Sequence, residues 1–349
     1  MKIYILYPFK DGPWGGANQF LKAVREYFIK KQSYTENMKE ADIILFNSSP
    51  SKEFNGLVDI VKKLKVNYPN KIFVNRIDGP VFYIRDRNLF IDKAFYKFND
   101  KICDGTVFQS NWSREKNIYL GMKINHFETT ILNAPNLEIF NSNGKKSFNK
   151  NEKIKLIATS WSSNIKKGFE VYKWIDKNLD FKKYEMTFVG NSPFSFKNII
   201  LKKPMASELL ASELKNHDIF ITASQSDPCS NSLIEAMHCG LPALGLNDGG
   251  HTEIISSGGE VFKAHSEIPQ KLDLITSNYE KYQKNIILPT IDEVGELYFN
   301  FLKSMYDKKE VGGYKPKNPT FFDCLKIRSY VILWNFEEKL YAIKRRIFK

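Results

Sequence analysis

Apolar runs of four to seven residues alternate along the chain with stretches whose apolar positions return every three or four residues. Runs of the first kind read as strands buried on both faces and those of the second as amphipathic helices. Their alternation argues for parallel sheets covered by helices. In the first half the pattern predicts strands at Lys2 to Tyr7, Ala41 to Asn47, Lys71 to Arg76, Thr106 to Gln109 and Glu128 to Leu132, with helices near Ala17 to Lys31, Glu53 to Tyr68, Arg87 to Asn99 and Ser113 to Gly121. In the second half it predicts strands at Ile154 to Thr159, Glu185 to Val189, Asp218 to Ala223 and Pro242 to Gly245. Helices are expected near Gly168 to Lys177, Ala206 to Asn216, Asn231 to Cys239, His251 to Ser257 and Glu293 to Met305.

Between the two series, residues 141–153 (NSNGKKSFNKNEK) hold a single apolar side chain, as an exposed linker does. The expected organisation is a Rossmann-like domain at 1–140, the linker at 141–153, a second Rossmann-like domain at 154–290, a helix crossing back at 291–313 and a basic amphipathic tail at 314–349. This is an α/β architecture of two doubly wound domains facing across a cleft, and ligands of such sheets bind beyond the carboxyl ends of the strands. Chemistry is therefore sought in the strand-to-helix loops.

The chain has 349 residues, more than a single core organises. Its 42% hydrophobic content excludes global disorder. No run approaches the ~20 apolar residues of a membrane span, and the first residues read as a core strand, not a signal peptide. The cysteines, Cys103, Cys229, Cys239 and Cys324, lie far apart without a C-x-x-C, which suits a reducing compartment. A cytoplasmic location is expected. The formal charge of +13 names no partner by itself.

Two loops carry candidate chemistry. After the first strand, Gly15 and Gly16 precede a helix, where backbone N–H groups can approach a phosphate; a plain turn using Gly for its dihedrals is the alternative. The loop is neither a G-x-G-x-x-G nor a Walker A motif. The richer segment is 224–250, SQSDPCSNSLIEAMHCGLPALGLNDGG. It offers a loop carboxylate, Asp227, then Ser230 and Asn231 as helix N-cap candidates, and Glu235 eight residues after the first carboxylate. Two ionised carboxylates can accept from hydroxyls at two ends of a sugar nucleotide, with the helix N-terminus offering N–H groups to the diphosphate between them. No H-E-x-x-H or similar spacing points to zinc, no D-x-D occurs, and no G-x-S-x-G marks a nucleophile.

The spacing Asp227-x7-Glu235 within EAMHCGLPALGLNDGG resembles the E-x7-E region of retaining glycosyltransferases of the GT-B fold, family 4. KKGFEVY (166–172), FVGNSP (188–193), RIDGP (76–80) and VFQSNWS (107–113) extend the resemblance over roughly residues 1–300. The resemblance implies a GT-B enzyme that moves a hexose from a nucleotide diphosphate sugar to a hydroxyl of a glycan or glycolipid acceptor, with retention and without metal or other cofactor. It implies that Glu235 holds the donor ribose and that Asp227, one methylene shorter than the family's glutamate, lies near the transferred sugar. Ser230, Asn231, Ser232 and Leu233 match the turn at the diphosphate, Lys167 the lysine that neutralises it, and Pro204 and Met205 the loop at the nucleobase. Ser162 stands where the family commonly has an arginine, so Lys166 or Arg76 is a second candidate for the phosphate charge. Asp78 stands in a loop where many relatives carry a histidine, and is assigned either a catalytic role at the donor sugar or acceptor hydroxyl, or a structural one fixing Arg76 or Arg85.

The rival readings are a GT-B epimerase or phosphorylase and a basic nucleic-acid-binding protein; against the latter, the charge is dispersed and no nucleic-acid-binding signature occurs, so no nucleic acid partner is expected. In the tail, Leu333, Phe336, Leu340, Ile343 and Ile347 recur at helical spacing, and residues 325–349 carry a net +5. Such a helix either packs on the first domain or lies on an anionic membrane surface at the inner face.

Overall fold

The structure is a computed structural model and describes residues 1–10, 16–48 and 53–347. The chain runs β1 (Ile3–Leu6), α1 (Gly16–Lys30), β2 (Ile43–Ser48), α2 (Glu53–Asn67), β3 (Ile72–Ile77), α3 (Val81–Arg85), α4 (Leu89–Lys101), β4 (Gly105–Phe108), α5 (Asn111–Tyr119) and β5 (Phe127–Thr130). It continues with β6 (Ile154–Ser160), α6 (Phe169–Asn178), β7 (Tyr184–Gly190), β8 (Ile200–Lys202), α7 (Ser207–Lys215), β9 (Ile219–Thr222), α8 (Asn231–His238), β10 (Ala243–Leu246), α9 (His251–Ile255), β11 (Gly259–Phe262), α10 (Ile268–Ser277), α11 (Tyr279–Lys284), α12 (Ile291–Glu310) and α13 (Phe321–Ile347). A 3₁₀ turn at Ile165–Lys167 leads into α6.

Two parallel sheets result, ordered β1-β2-β3-β4-β5 and β11-β10-β9-β6-β7-β8. Every residue of IILFNS in β2 and IFVNRI in β3 is buried, as interior strands covered on both faces require. Contacts divide the chain into one unit of residues 1–8, 25–132 and 295–349 and another of 9–24 and 133–294. The first has its core around Phe46, Phe54, Phe73 and Phe98, with Phe54 and Phe95 edge to face at 4.5 Å. The second is built around Leu156, Phe169, Phe188, Ile221 and Leu244.

Residues 141–153, expected as a linker, are part of the second unit. The Lys146 N–H donates to the Lys215 carbonyl at 3.1 Å, and Phe148, the one apolar residue of the segment, stacks on Tyr279 at 4.1 Å. The first helical turns of α1 also group with the second unit, although the pattern places them at the start of the first domain. β8 and β11 were not predicted: β8 is a three-residue edge strand without a buried position, too short and too exposed to leave a pattern. In α13, Cys324, Ile327, Val331 and Trp334 are buried in the core of the first unit, so this helix packs there along a stripe other than the one expected.

Candidate functional site

The site lies in the second unit, where β6, β7 and β9 end. β9 delivers the chain into a loop in which Ser226 takes a left-handed φ of 52°. Asp248 holds this loop by accepting from the Ser226 N–H at 2.8 Å and from the Gly249 N–H at 2.7 Å. The Gly250 N–H in turn donates to the Asp227 carbonyl at 2.9 Å. Gly249 has φ +65°, and a Cβ there would come within 2.3 Å of the Asp227 carbonyl oxygen, so only glycine allows the two loops to meet. Asp227 is thus fixed by its backbone before its side chain does anything.

The Asp227 carboxylate accepts from Lys167 Nζ at 2.8 Å. Lys167 is presented by the 3₁₀ turn, which Asn164 caps and which ends at Gly168, at φ +88° and packed so tightly on Ala223 that a Cβ would meet it at 2.4 Å. Burial pushes the Asp227 pKa up, but the Lys167 ammonium and nearby His251 outweigh it and hold the group below the ordinary carboxylate value. His251 is fully buried, with Nδ1 3.0 Å from the Leu246 carbonyl oxygen; burial lowers its pKa against the pull of Asp227.

α8 begins at Asn231 after Ser230, whose side chain makes no capping hydrogen bond to the helix and instead lies 3.2 Å from the Ser232 hydroxyl. The first-turn N–H groups are thereby left without a side-chain cap. The Asn231 amide oxygen accepts from Asn133 Nδ2 at 2.9 Å, and a Cβ at Gly16 would strike Asn231 Nδ2 at 1.7 Å, so the start of α1 is seated against the start of α8. One turn further into α8, Glu235 is partly buried and its carboxyl group makes no hydrogen bond or ion pair among the described residues; burial alone raises its pKa to about 8.

These residues line one open cavity of about 290 Å³. Of the residues singled out in the sequence, Gly16, Lys167, Pro204, Met205, Asp227, Ser230, Asn231, Ser232 and Glu235 are on its wall, as is Ser162. Leu233 is not: its side chain is fully buried in the core, so only its backbone belongs to the first turn of α8. Lys166 is not on the wall either; its carbonyl accepts from the Gln225 N–H at 2.7 Å. Gly15 lies outside the described residues. Asp78 belongs to the first unit, after β3, where its carboxylate accepts from Arg76 at 3.4 Å and from Gln109, and its carbonyl accepts from Ser113 and Asn117 at 3.1 and 2.9 Å. Arg76, fully buried, is engaged by Asn47 and Asp78. Trp161, Ser224, Cys229, Asp248 and His251 were not anticipated. The residue pairs that fix the last two are local only once the strands are aligned, and the glycines of NDGG were the one available signal.

Residues 145–287 match the family of glycosyl transferases group 1. A curated relative, a probable sucrose-phosphate synthase from Thermosipho melanesiensis, is 27% identical over 161 residues, 43% of this chain and 38% of the relative, so the match spans well under half the length of that protein. Among solved structures, Anabaena HepE in complex with UDP aligns with TM-score 0.58 at 12% identity, over 89% of this chain and all of the other. A sucrose-phosphate synthase from Thermosynechococcus elongatus aligns with TM-score 0.60 at 11% identity, over 98% and 99%. The lipopolysaccharide outer core galactosyltransferase WaaB, in its apo form, aligns with TM-score 0.60 at 13% identity, over 88% and 100%. These likenesses are of fold, and the fold is GT-B, as the sequence resemblance implied.

Proposed function

We propose that this GT-B chain, with its glycosyl transferases group 1 segment at 145–287, moves a hexose from a nucleotide diphosphate sugar to a hydroxyl of a glycan or glycolipid, with retention and without a resident metal. The observation that carries the reading is the juxtaposition at α8: a helix start without a side-chain cap, the Lys167–Asp227 pair beside it, and the unpartnered Glu235 one turn on, all on one cavity wall. A diphosphate against the first turn of α8 meets N–H donors and the positive end of the helix. Among the described residues Lys167 is the cation lining the cavity, and a compact ammonium is suited to the phosphates. Its engagement there would release a carboxylate oxygen of Asp227 to accept from a sugar hydroxyl, while Glu235 takes the ribose hydroxyls. Pro204 and Met205 are assigned to the nucleobase, and the UDP complex of HepE supports a uridine donor.

In the transfer the bond between the anomeric carbon and the phosphate oxygen breaks, the acceptor oxygen bonds to that carbon on the same face, and the acceptor proton passes to the departing diphosphate. Charge develops on the diphosphate, where Lys167 and the α8 N–H groups already stand, so no reorganisation is needed. Asp78, whose carboxylate is engaged by Arg76 and Gln109, is assigned to orienting a reacting hydroxyl. An Asp78→Asn variant with unchanged turnover would remove it from that role.

A thermal-shift screen of UDP, UDP-sugars, GDP and ADP against wild type and Glu235→Ala tests the central claim. Uridine nucleotides are expected to raise the melting temperature of the wild type and to raise that of the variant far less. No stabilisation by any nucleotide overturns it.

A further inference from the structure

α13 has two apolar faces. At about 100° per residue, Cys324, Ile327, Val331 and Trp334 cluster on one side, and Leu325, Ile332, Phe336 and Ile343 cluster about 140° away. The first set is in the core of the first unit, with Val331 and Trp334 only 3% and 5% exposed. The second stands in solvent, with Ile332 67% and Phe336 61% exposed, and Phe321, Phe322, Leu333 and Leu340 widen it. A helix that needs a single apolar stripe to dock has no use for a second one, which costs solubility.

The charges are placed with respect to the exposed stripe. By the same spacing Arg328, Lys339 and Arg346 run along one edge and Lys326 and Lys344 along the other, all exposed. Lys62 of α2 adds a cation 5.6 Å from the Phe321 ring. Of the acidic residues, Glu338 faces Arg87 at 3.7 Å and Asp323 receives the Thr320 N–H and hydroxyl at the helix start, while Glu337 stands just outside the Lys326–Lys344 edge and Asp59 of α2 pairs with Arg328, leaving Lys339, Arg346, Lys326 and Lys344 as the cations of the two edges. No described helix is long and apolar enough to cross a membrane. An apolar stripe bordered on both edges by long basic side chains is the arrangement of a helix lying in a lipid interface, its rings among the acyl chains and its cations at the headgroups.

We infer that α13 is a clamp between the first unit and an anionic bilayer surface: the Cys324–Trp334 face holds the protein and the Leu325–Ile343 face holds the lipid. This goes beyond the transfer reaction and does not depend on it. A protein partner offering only an apolar groove would use the stripe but not the two basic edges, whereas anionic lipid uses both.

The test is co-sedimentation of the full chain with vesicles of phosphatidylcholine alone or with phosphatidylglycerol added. Binding is expected with the anionic vesicles, at least tenfold stronger than with the neutral ones, and weaker as salt rises. Two variants, Ile332→Ser/Phe336→Ser/Ile343→Ser and Lys339→Glu/Lys344→Glu, are each expected to lower the partition coefficient at least tenfold. Because all five residues are exposed, both should keep the wild-type melting temperature and the stabilisation by UDP, which separates loss of docking from misfolding and from failure of the donor reading. Equal binding to both vesicle types, no binding, or binding unaffected by either variant overturns the inference. So does a chain that dimerises through the stripe and loses dimerisation, but no lipid binding, in the triple variant.

Discussion

At Glu235 a single carboxyl reports on the whole site, because nothing but burial sets its titration. Between the ordinary value of 4.5 and about 8 the folded chain keeps a proton there that the unfolded chain has given up. Stability therefore falls as pH rises through that window, by at most about 1.4 kcal/mol per pH unit from this group. Asp92, buried while accepting from the Val81 and Phe82 N–H groups, has its pKa raised by burial to about 7 and adds a slope of the same sign. Glu235→Gln leaves Asp92 untouched, so the difference between the two proteins isolates position 235. The variant is expected to melt higher than wild type at pH 8–9 and level with it near pH 5, in melting curves taken across that range; parallel curves would show that Glu235 ionises normally. Gly249 reports on the other carboxylate. Gly249→Ala places a Cβ against the Asp227 carbonyl in a left-handed backbone, with an expected cost of about 1–3 kcal/mol in denaturant unfolding and a larger loss of donor binding than Ala at an exposed loop position causes.

Among the elements, α8 was the most legible, because its chemistry is contiguous: a loop carboxylate, small polar residues, a helix start and a second carboxylate follow one another within nine residues. The wall it shares with β6 and β7 was read only through the resemblance, and Trp161, at the end of β6, not at all. An aromatic in a loop gives no periodic signal, and its place follows from strand order, which a local pattern does not contain. The segment between α12 and α13 escaped for the same reason. There the Tyr314 hydroxyl and the Lys317 N–H both reach Asp104 Oδ1, at 2.9 and 2.6 Å. The other Asp104 oxygen accepts from the Phe73 N–H and from Lys65 Nζ, at 2.7 and 2.8 Å, and the Lys65 and Asp104 side chains are wholly buried. Burial lowers the Lys65 pKa even with Asp104 beside it. Asp104→Ala leaves that ammonium uncompensated and unties residues 314–317, with an expected loss of about 3–5 kcal/mol. Lys65→Met/Asp104→Leu, which removes both charges, is expected to recover part of that loss; equal losses in the two proteins would locate the cost in the Tyr314 and Lys317 bonds.

For the whole molecule, the surplus of +13 is not a property of the site, whose described cavity wall holds one lysine against two carboxylates. On the proposed reading the diphosphate charge is then met by Lys167 and the backbone N–H groups of the first turn of α8, with Ser162 where the resemblance implies an arginine. The two units have separate cores, but neither is a continuous piece of chain: the first needs residues 295–349, whose Ile327, Val331 and Trp334 complete its core, and the second needs residues 9–24. A boundary drawn from composition at 141–153 could not see this, since a segment that leaves one core and enters another keeps its own local pattern. A donor bound to residues of the second unit stabilises that core directly. In scanning calorimetry with UDP at about 100 times its dissociation constant, the transition of the second unit is expected to rise by roughly 5–10 °C, the shift that about 2.7 kcal/mol gives a unit of this size. The transition of the first unit is expected to move less, and Glu235→Ala is expected to reduce the shift without lowering the first unit's own transition. One cooperative transition that moves as a whole would show instead that the two cores unfold together, and that the donor is felt as far as α13.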